Sequence, residues 1–202
     1  MDNDIRPRTA TPNKLKTSLI ALSAVVALTG ACSYWAESVQ DALADARIAR
    51  TLCEGRETSE AHALLQRKTL LTRYLAQKYN LSDDYVRNIV ELAWRESQRH
   101  EDVSVELILA VMQKESGLKA RAVSSRGAKG LMQVLPRYHP EKIRAGESLY
   151  DPHVNIRVGS AILQEYLSAH NANLRQALAK YSGGAPGYAR AIINEVEALK
   201  EI

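Results

Sequence analysis

The residues that favour strands and tight turns are scarce in this sequence. Its 202 residues include no Phe, 10 Gly, 6 Pro and 2 Cys. Helix-favouring residues such as Ala, Leu, Glu, Arg, Lys and Gln dominate instead. A hydrophobic content of 46% lets a chain of this length bury one good core. We therefore predict an all-α protein with one main folded domain, a targeting segment and a short extra element.

Charged residues are absent from residues 17–36, and four basic residues precede this run of twenty. A basic segment, an apolar segment and then small residues are typical of an export signal. Residues 28–32, Leu-Thr-Gly-Ala-Cys, also resemble a bacterial lipobox, which implies lipid attachment at Cys32. Alternatively, the run spans a bilayer as an uncleaved anchor. Both interpretations predict membrane attachment, with the rest of the chain on the periplasmic side of a bacterial cell envelope.

The two cysteines allow at most one disulfide within the chain. If Cys32 carries a lipid, Cys53 is a single thiol; otherwise the two residues could pair in an oxidising periplasm. We favour a free Cys53, because a chain this helical does not need a covalent link. The five histidines are scattered and lack metal-ligand spacing, so we predict no metal and no cofactor.

A carboxyl group falls on the apolar stripe of a helix predicted within residues 104–139. Four residues follow the spacing i, i+3, i+4 and i+7, namely Ile108, Val111, Met112 and Glu115. Gly117 is placed to end this helix, so Glu115 lies in a last turn that disfavours negative charge. We predict a raised pKa for Glu115, which suits proton donation to a glycosidic oxygen or an ester. A Glu that pairs with a basic neighbour is the alternative.

Four short motifs follow one another between residues 115 and 184. They are Glu115-Ser116-Gly117, then Gly130-Leu131-Met132-Gln133-Val134-Leu135-Pro136, then Asp151-Pro152 with Asn155-Ile156 and Gly159, and finally Ala177-Leu178-Ala179-Lys180-Tyr181-Ser182-Gly183-Gly184. In this order they resemble the signature of the lytic transglycosylase catalytic domain, of the soluble lytic transglycosylase type within the lysozyme-like superfamily. The resemblance is specific because all four motifs occur in order. A Glu-Ser pair alone would not indicate this family.

The resemblance implies a lysozyme-like helical fold that cleaves peptidoglycan. In this family one acid protonates the oxygen that bridges N-acetylmuramic acid and N-acetylglucosamine. As a carboxylate it then takes the proton of the muramic C6 hydroxyl, which attacks C1 and leaves a 1,6-anhydro ring without consuming water. Glu115 matches this acid. Glycosidases ordinarily use two carboxylates, but the acids that follow Glu115 lack motif support: Asp151 is expected to cap a helix, and Glu141, Glu147 and Glu165 to face solvent.

The remaining motif residues are assigned to substrate binding: Ser116, Gly130, Met132, Gln133, Tyr181 and Ser182. Gly130 lets the chain approach closely, and Gln133 can exchange hydrogen bonds with an acetamido group. Ser116 either orients substrate or caps its helix. Met132 either forms a wall for the sugar or packs in the core.

Two tyrosines and a serine follow in the last motif and the helix after it. Tyr181 resembles the family tyrosine whose hydroxyl bonds near the acid, with a buried core tyrosine as the alternative. Ser182 stands where the family usually has Asn and offers a shorter hydrogen-bonding side chain. Tyr188 begins the last predicted helix, where it either lines the cleft or packs.

Basic residues surround the proposed acid. The segment 114–144 contains only two acidic residues against eight basic ones, which are Lys114, Lys119, Arg121, Arg126, Lys129, Arg137, Lys142 and Arg144. A cleft with such an edge would attract the carboxylates of peptidoglycan peptides. Nucleic acid is the generic partner of a basic patch, but no nucleic-acid motif accompanies this one and export argues against it. A solvated basic loop without a partner is the simpler alternative.

These observations predict three parts: residues 1–31 as export signal or anchor, 32–80 as a helical spacer, and 81–202 as the catalytic domain. The leading hypothesis is a membrane-attached lytic transglycosylase that acts on peptidoglycan glycan strands. A lysozyme-like hydrolase, in which water attacks instead, is the nearest alternative. A peptidoglycan-binding envelope module without activity is the non-enzymatic one.

Overall fold

The computed structural model describes residues 58–202 and six earlier positions, which are Gln40, Arg47, Arg50, Thr51, Gly55 and Arg56. It divides into two compact units, Met1–Glu60 and Ala61–Ile202. The described residues of the first unit are helical. The predicted export signal or anchor and both cysteines lie outside the described residues.

The second unit is built from α-helices. Helix α1 comes first, helical over residues 58–79, of which 61–79 belong to this unit. It is followed by α2 (Asp83–Ser97), α3 (Val105–Ser116), α4 (Pro152–Ala169), α5 (Leu174–Tyr181) and α6 (Tyr188–Lys200). The described part of the chain contains no β-strand, only isolated bridges from Lys129 to Val123 and to Val134. The all-α prediction is therefore confirmed.

Side chains at the helix starts account for several of these boundaries. The Ser82 hydroxyl accepts a hydrogen bond from the Tyr85 N–H at the start of α2. The Asp151 carboxylate accepts from two backbone N–H groups at the start of α4, where Pro152 occupies the first position. The Asp151 cap was predicted, because a polar side chain before an apolar periodic segment is a local signal.

One hydrophobic core joins α1 to the helices that follow it. Leu71 and Leu75 are fully buried in α1 and belong to the same cluster as the buried residues of α2 to α6. Helix α3 packs against α2 and α6, and α4 packs against α2 and α5. The C-terminal half of the predicted spacer therefore contributes to the core. The functional boundary near residue 81 stays a prediction.

A long loop between α3 and α4 carries the second motif. It contains the short 3-10 helix Pro140–Lys142 and the bridges around Lys129. This loop lies beside the C-terminal end of α3, because the Ser116 hydroxyl is bonded to the Leu131 carbonyl. Within the described residues, no helix combines the length and the apolarity needed to cross a membrane.

Candidate active site

The end of α3 places Glu115 at the edge of the core. The stripe residues Ile108, Val111 and Met112 are fully buried, while Glu115 in the last turn is half-buried. Gly117 ends the helix in the left-handed conformation at φ 58°, and its N–H donates to the Gln113 and Met112 carbonyls. Both the helix end and the position of Glu115 on the stripe agree with the prediction.

Burial is the main influence on the Glu115 carboxyl. It raises the pKa of Glu115 above its ordinary value, while the hydrogen bond from Tyr188 and the charge of Lys114 lower the pKa without reversing the shift. The predicted raised pKa is therefore supported. Such a group keeps its proton at a higher pH than a surface Glu does, which is the property required of a general acid near neutral pH.

Tyr188 is the hydrogen-bond partner of Glu115. Its hydroxyl donates to Glu115 Oε1 at 2.5 Å, and its side chain is only 7% exposed at the start of α6. Burial and then the nearby Glu115 charge raise the pKa of Tyr188 far above its ordinary value. Tyr188 therefore remains protonated and acts as a fixed donor. The sequence left open whether Tyr188 packs or lines the cleft, and it does both.

We expect Tyr188→Phe to raise the pKa of Glu115 further. The hydroxyl stabilises the carboxylate form, so its loss favours the protonated form. The measurement is a titration of the Glu115 carboxyl carbon by NMR, with Glu115→Gln used to assign the signal. Tyr79→Phe is the matched control, because the Tyr79 hydroxyl bonds to Gln113 on the same helix and not to Glu115. An unchanged or lowered pKa in Tyr188→Phe would contradict this role.

Asn155 fixes the loop that faces Glu115. Its side chain is fully buried, and its Oδ1 accepts from the Met132 N–H at 2.7 Å. Its Nδ2 donates to the carbonyls of Lys129 at 2.9 Å and Leu149 at 2.8 Å. One amide thus satisfies three backbone groups from two parts of the loop.

Gly130 permits this arrangement. Its φ is +77°, and a Cβ added there would lie 2.2 Å from Asn155 Nδ2 and 2.3 Å from the Leu149 carbonyl oxygen. The close approach predicted for Gly130 is therefore present, and it is made to the protein's own loop and α4.

The side chains of Ser116 and Met132 serve mainly structural roles. The Ser116 hydroxyl lies 2.8 Å from the Leu131 carbonyl and 3.1 Å from the Met112 carbonyl, and accepts from the Lys119 N–H. Met132 is fully buried, and it packs so closely on α4 that a Cβ at Gly159 would lie 2.4 Å from its sulfur. Of the alternatives predicted, these contacts favour helix capping for Ser116 and core packing for Met132.

Gln133, Tyr181 and Ser182 line the cleft, but their side chains donate hydrogen bonds to backbone carbonyls. Gln133 Nε2 donates to the carbonyls of Ala122 and Gly130, which leaves Oε1 without a donor among the described residues. The Tyr181 hydroxyl donates to the Met132 carbonyl at 2.9 Å. The Ser182 hydroxyl donates to the Ala179 carbonyl at the end of its own helix. Gln133 Oε1 is therefore an acceptor left for a ligand, and the Tyr181 and Ser182 hydroxyl oxygens can accept as well.

The cleft consists of two adjoining pockets. The inner pocket, of about 350 Å³, contains Glu115, Lys114, Tyr188 and part of the loop at 124–128. The outer pocket, of about 480 Å³, extends to Tyr138, His139 and Tyr166. Five residues line both pockets, which makes the cleft continuous: Arg126, Gln133, Leu135, Tyr181 and Ser182. Among the described lining residues, Glu115 is the only acid.

The other acids considered in the sequence have separate partners. Glu165 pairs with Lys142, and Asp151 caps α4. The expectation that Glu147 faces solvent is wrong, because its carboxylate pairs with Arg157 and accepts from the Arg144 N–H, which leaves the side chain 19% exposed. The Arg144 hydrogen bond is the main cause that lowers the pKa of Glu147. These contacts keep the three carboxylates away from Glu115.

No cluster of three or more His, Cys, Asp or Glu side chains that could hold a metal ion occurs within the described part of the chain.

Sequence analysis missed the roles of two residues of the site. Tyr188 is the hydrogen-bond partner of the acid, and Asn155 supports the loop. Asn155 stood within a recognised motif, but its three bonds involve residues up to 26 positions away.

Known proteins resemble part of this chain. A curated relative, the transglycosylase of Enterobacteria phage PRD1, is 38% identical over 78 residues, which are 39% of this chain and 28% of the phage protein. An inactive mutant of the lytic transglycosylase Slt from Pseudomonas aeruginosa is 32% identical, with a TM-score of 0.44, over 50% of this chain and 17% of that chain. The 70 kDa soluble lytic transglycosylase of Escherichia coli is 23% identical, with a TM-score of 0.45, over 64% of this chain and 24% of that chain.

This chain therefore spans less than a third of the length of each of these three proteins. The family model described as the transglycosylase SLT domain matches residues 92–201, which are more than half of the chain and include all four motifs. This match confirms the resemblance drawn from the motifs. The chain belongs to the transglycosylase SLT domain family.

Proposed function

We propose that this chain is a peptidoglycan lytic transglycosylase that uses Glu115 as its single acid and base. The substrate is the β-1,4 bond from N-acetylmuramic acid to N-acetylglucosamine. The observation that carries the proposal is a half-buried carboxyl with a raised pKa, in a cleft whose other described lining residues include no acid. A single protonated acid suits a reaction in which the sugar supplies its own nucleophile.

In the first step the protonated Glu115 donates its proton to the bridging oxygen. The bond from C1 to that oxygen breaks, N-acetylglucosamine leaves with a new hydroxyl, and positive charge develops at C1 of the muramic ring. Burial favours this step, because it holds the proton on Glu115 before the substrate binds.

In the second step the muramic C6 hydroxyl attacks C1, and the Glu115 carboxylate takes the hydroxyl proton. The 1,6-anhydro ring closes, Glu115 regains its proton, and no water is consumed. The Tyr188 hydroxyl stabilises the carboxylate between the two steps, because it donates to Oε1. Within the cleft, Gln133 Oε1 is available to accept a hydrogen bond from the N–H of an acetamido group.

We further propose that residues 81–202 carry this activity at the periplasmic side of the cell envelope. Residues 1–31 would attach the chain to the membrane, either through a lipid on Cys32 or as an uncleaved anchor, and residues 32–80 would separate the membrane from the cleft. The export pattern of residues 17–36 and the family's substrate support this placement.

Mass spectrometry of fragments released from purified sacculi tests the proposed reaction. We expect anhydro ends, one water lighter than reducing ends, and no incorporation of oxygen from isotopically labelled water. Reducing ends that carry the label would instead indicate a lysozyme-like hydrolase. Binding to sacculi without any soluble product would indicate a non-catalytic peptidoglycan-binding module.

A further inference from the structure

The structure separates the basic residues of the segment 114–144 into two groups. Lys142, which pairs with Glu165, and Lys129, which lies over the Tyr150 ring at 5.6 Å, do not line the two pockets, whereas Lys114 lines the inner one. Arg126 and Arg137 line the outer pocket, and α5 adds Lys180 from outside the segment. The basic surface seen in the sequence is thus divided, and only part of it faces the cleft.

The three cations of the outer pocket have no internal counterion. Arg126, Arg137 and Lys180 form no ion pair with any described residue, and all three are exposed. None of the described residues that line this pocket is acidic. Glu141 and Glu165 act on His139 and Tyr166 at the edge of the pocket, but both carboxylates pair with Lys142. Three cations without an ion-pair partner on one concave surface create a positive potential that favours an anionic ligand.

The rest of the outer pocket suits a ligand that is partly sugar or peptide. Tyr138 is 62% exposed, and the Arg137 guanidinium stacks on its ring at 4.7 Å. Leu135 and the half-buried Tyr166 add apolar surface. The Arg137 guanidinium can bind a carboxylate through two parallel N–H donors.

We propose that the outer pocket is a carboxylate subsite, formed by Arg126, Arg137 and Lys180, that binds the acidic peptide attached to a muramic acid of the glycan strand. This inference rests on the proposed function for the identity of the glycan. The outer pocket shares five lining residues with the pocket of Glu115, so one glycan strand can extend through both pockets. The subsite would position peptide-bearing strands relative to the acid.

Binding of two matched substrates tests the subsite. The full-length chain carrying Glu115→Gln, which prevents turnover, is titrated with soluble peptide-bearing glycan strands and with the same strands whose carboxylates have been converted to methylamides. Because the three cations are exposed, we expect a Kd on the order of tenfold weaker for the methylamide strands. Added salt should weaken binding of the untreated strands toward the same value.

Two triple variants in this background identify the residues responsible. Arg126→Gln with Arg137→Gln and Lys180→Gln should bind both strands with equal Kd. Lys119→Gln with Arg121→Gln and Arg144→Gln removes the same charge outside the outer pocket and should keep the preference. The subsite would be overturned if the chain with Glu115→Gln alone bound the two strands with equal Kd. It would also be overturned if the two triple variants changed the preference for the untreated strands equally. Because the readout is binding, absence of anhydro products would refute the proposed function without affecting this result.

Discussion

Glu115→Gln is expected to reduce cleavage of sacculi by about a thousandfold or more, since general acid and base catalysis contributes about 10²–10⁴ and the proposed mechanism assigns both roles to this residue. The glutamine is nearly isosteric and cannot donate a labile acidic proton. Its carbonyl oxygen can still accept the Tyr188 hydrogen bond, so the cleft should keep its shape. The measurement is the rate of release of soluble fragments under conditions where the wild-type chain is active.

The same substitution should not destabilise the fold at neutral or alkaline pH. Burial raises the pKa of Glu115, so its contribution to stability is fully present below the pKa of the unfolded chain and is lost as the pH rises through the folded pKa. Glutamine lacks this pH dependence. The free energy of unfolding of the variant, relative to the wild type, should therefore increase as the pH rises.

Glu101→Gln is the control, because Glu101 is exposed and lies outside the two cleft pockets. It should retain wild-type cleavage. Substantial cleavage by a folded Glu115→Gln variant would exclude the single-acid mechanism.

Among the glycine-to-alanine substitutions in this loop, Gly130→Ala should lower the free energy of unfolding most. The left-handed conformation costs a non-glycine residue about 1–2 kcal/mol. The new Cβ would also clash with the Leu149 carbonyl and Asn155, at 2.3 and 2.2 Å, and overpacking of this kind costs about 1–3 kcal/mol more. We expect the free energy of unfolding to fall by about 2–5 kcal/mol.

Gly127→Ala separates the two contributions. Gly127 has a similar φ of +81°, but an added Cβ would have no atom within 4 Å. Its substitution should cost only the conformational part, about 1–2 kcal/mol. Denaturant unfolding of both variants at equal m-values measures the difference. Equal losses would show that the contact between Gly130, Leu149 and Asn155 contributes nothing.

The sequence predicted the local features of the site well, because each of them depends on neighbours within one or two turns. The helical spacing placed Glu115 on the buried stripe of α3, and Gly117 was identified as the end of that helix. The cap at Asp151 follows from the same kind of local pattern. The raised pKa of Glu115 then follows from its burial at the end of that stripe.

Contacts between distant segments were not predictable in this way. Tyr188 bonds to Glu115 from 73 residues away, and no spacing rule relates the two positions. The apolar face of α1 was visible in the sequence, but its burial at Leu71 and Leu75 depends on helices that follow it. Met132 could form a wall for the sugar only if its side chain were exposed. It is buried instead, because Gly159 has no side chain and lets the Met132 sulfur pack on α4.

The loop opposite the acid is attached to two different helices through adjacent residues. The Leu131 carbonyl accepts from Ser116 at the end of α3, and the Met132 N–H donates to Asn155 in α4. The backbone just before Gln133 therefore cannot move away from α3 or α4 without breaking one of these hydrogen bonds. We expect it to behave as a rigid frame, so that Gln133 keeps its place in the cleft when a ligand binds.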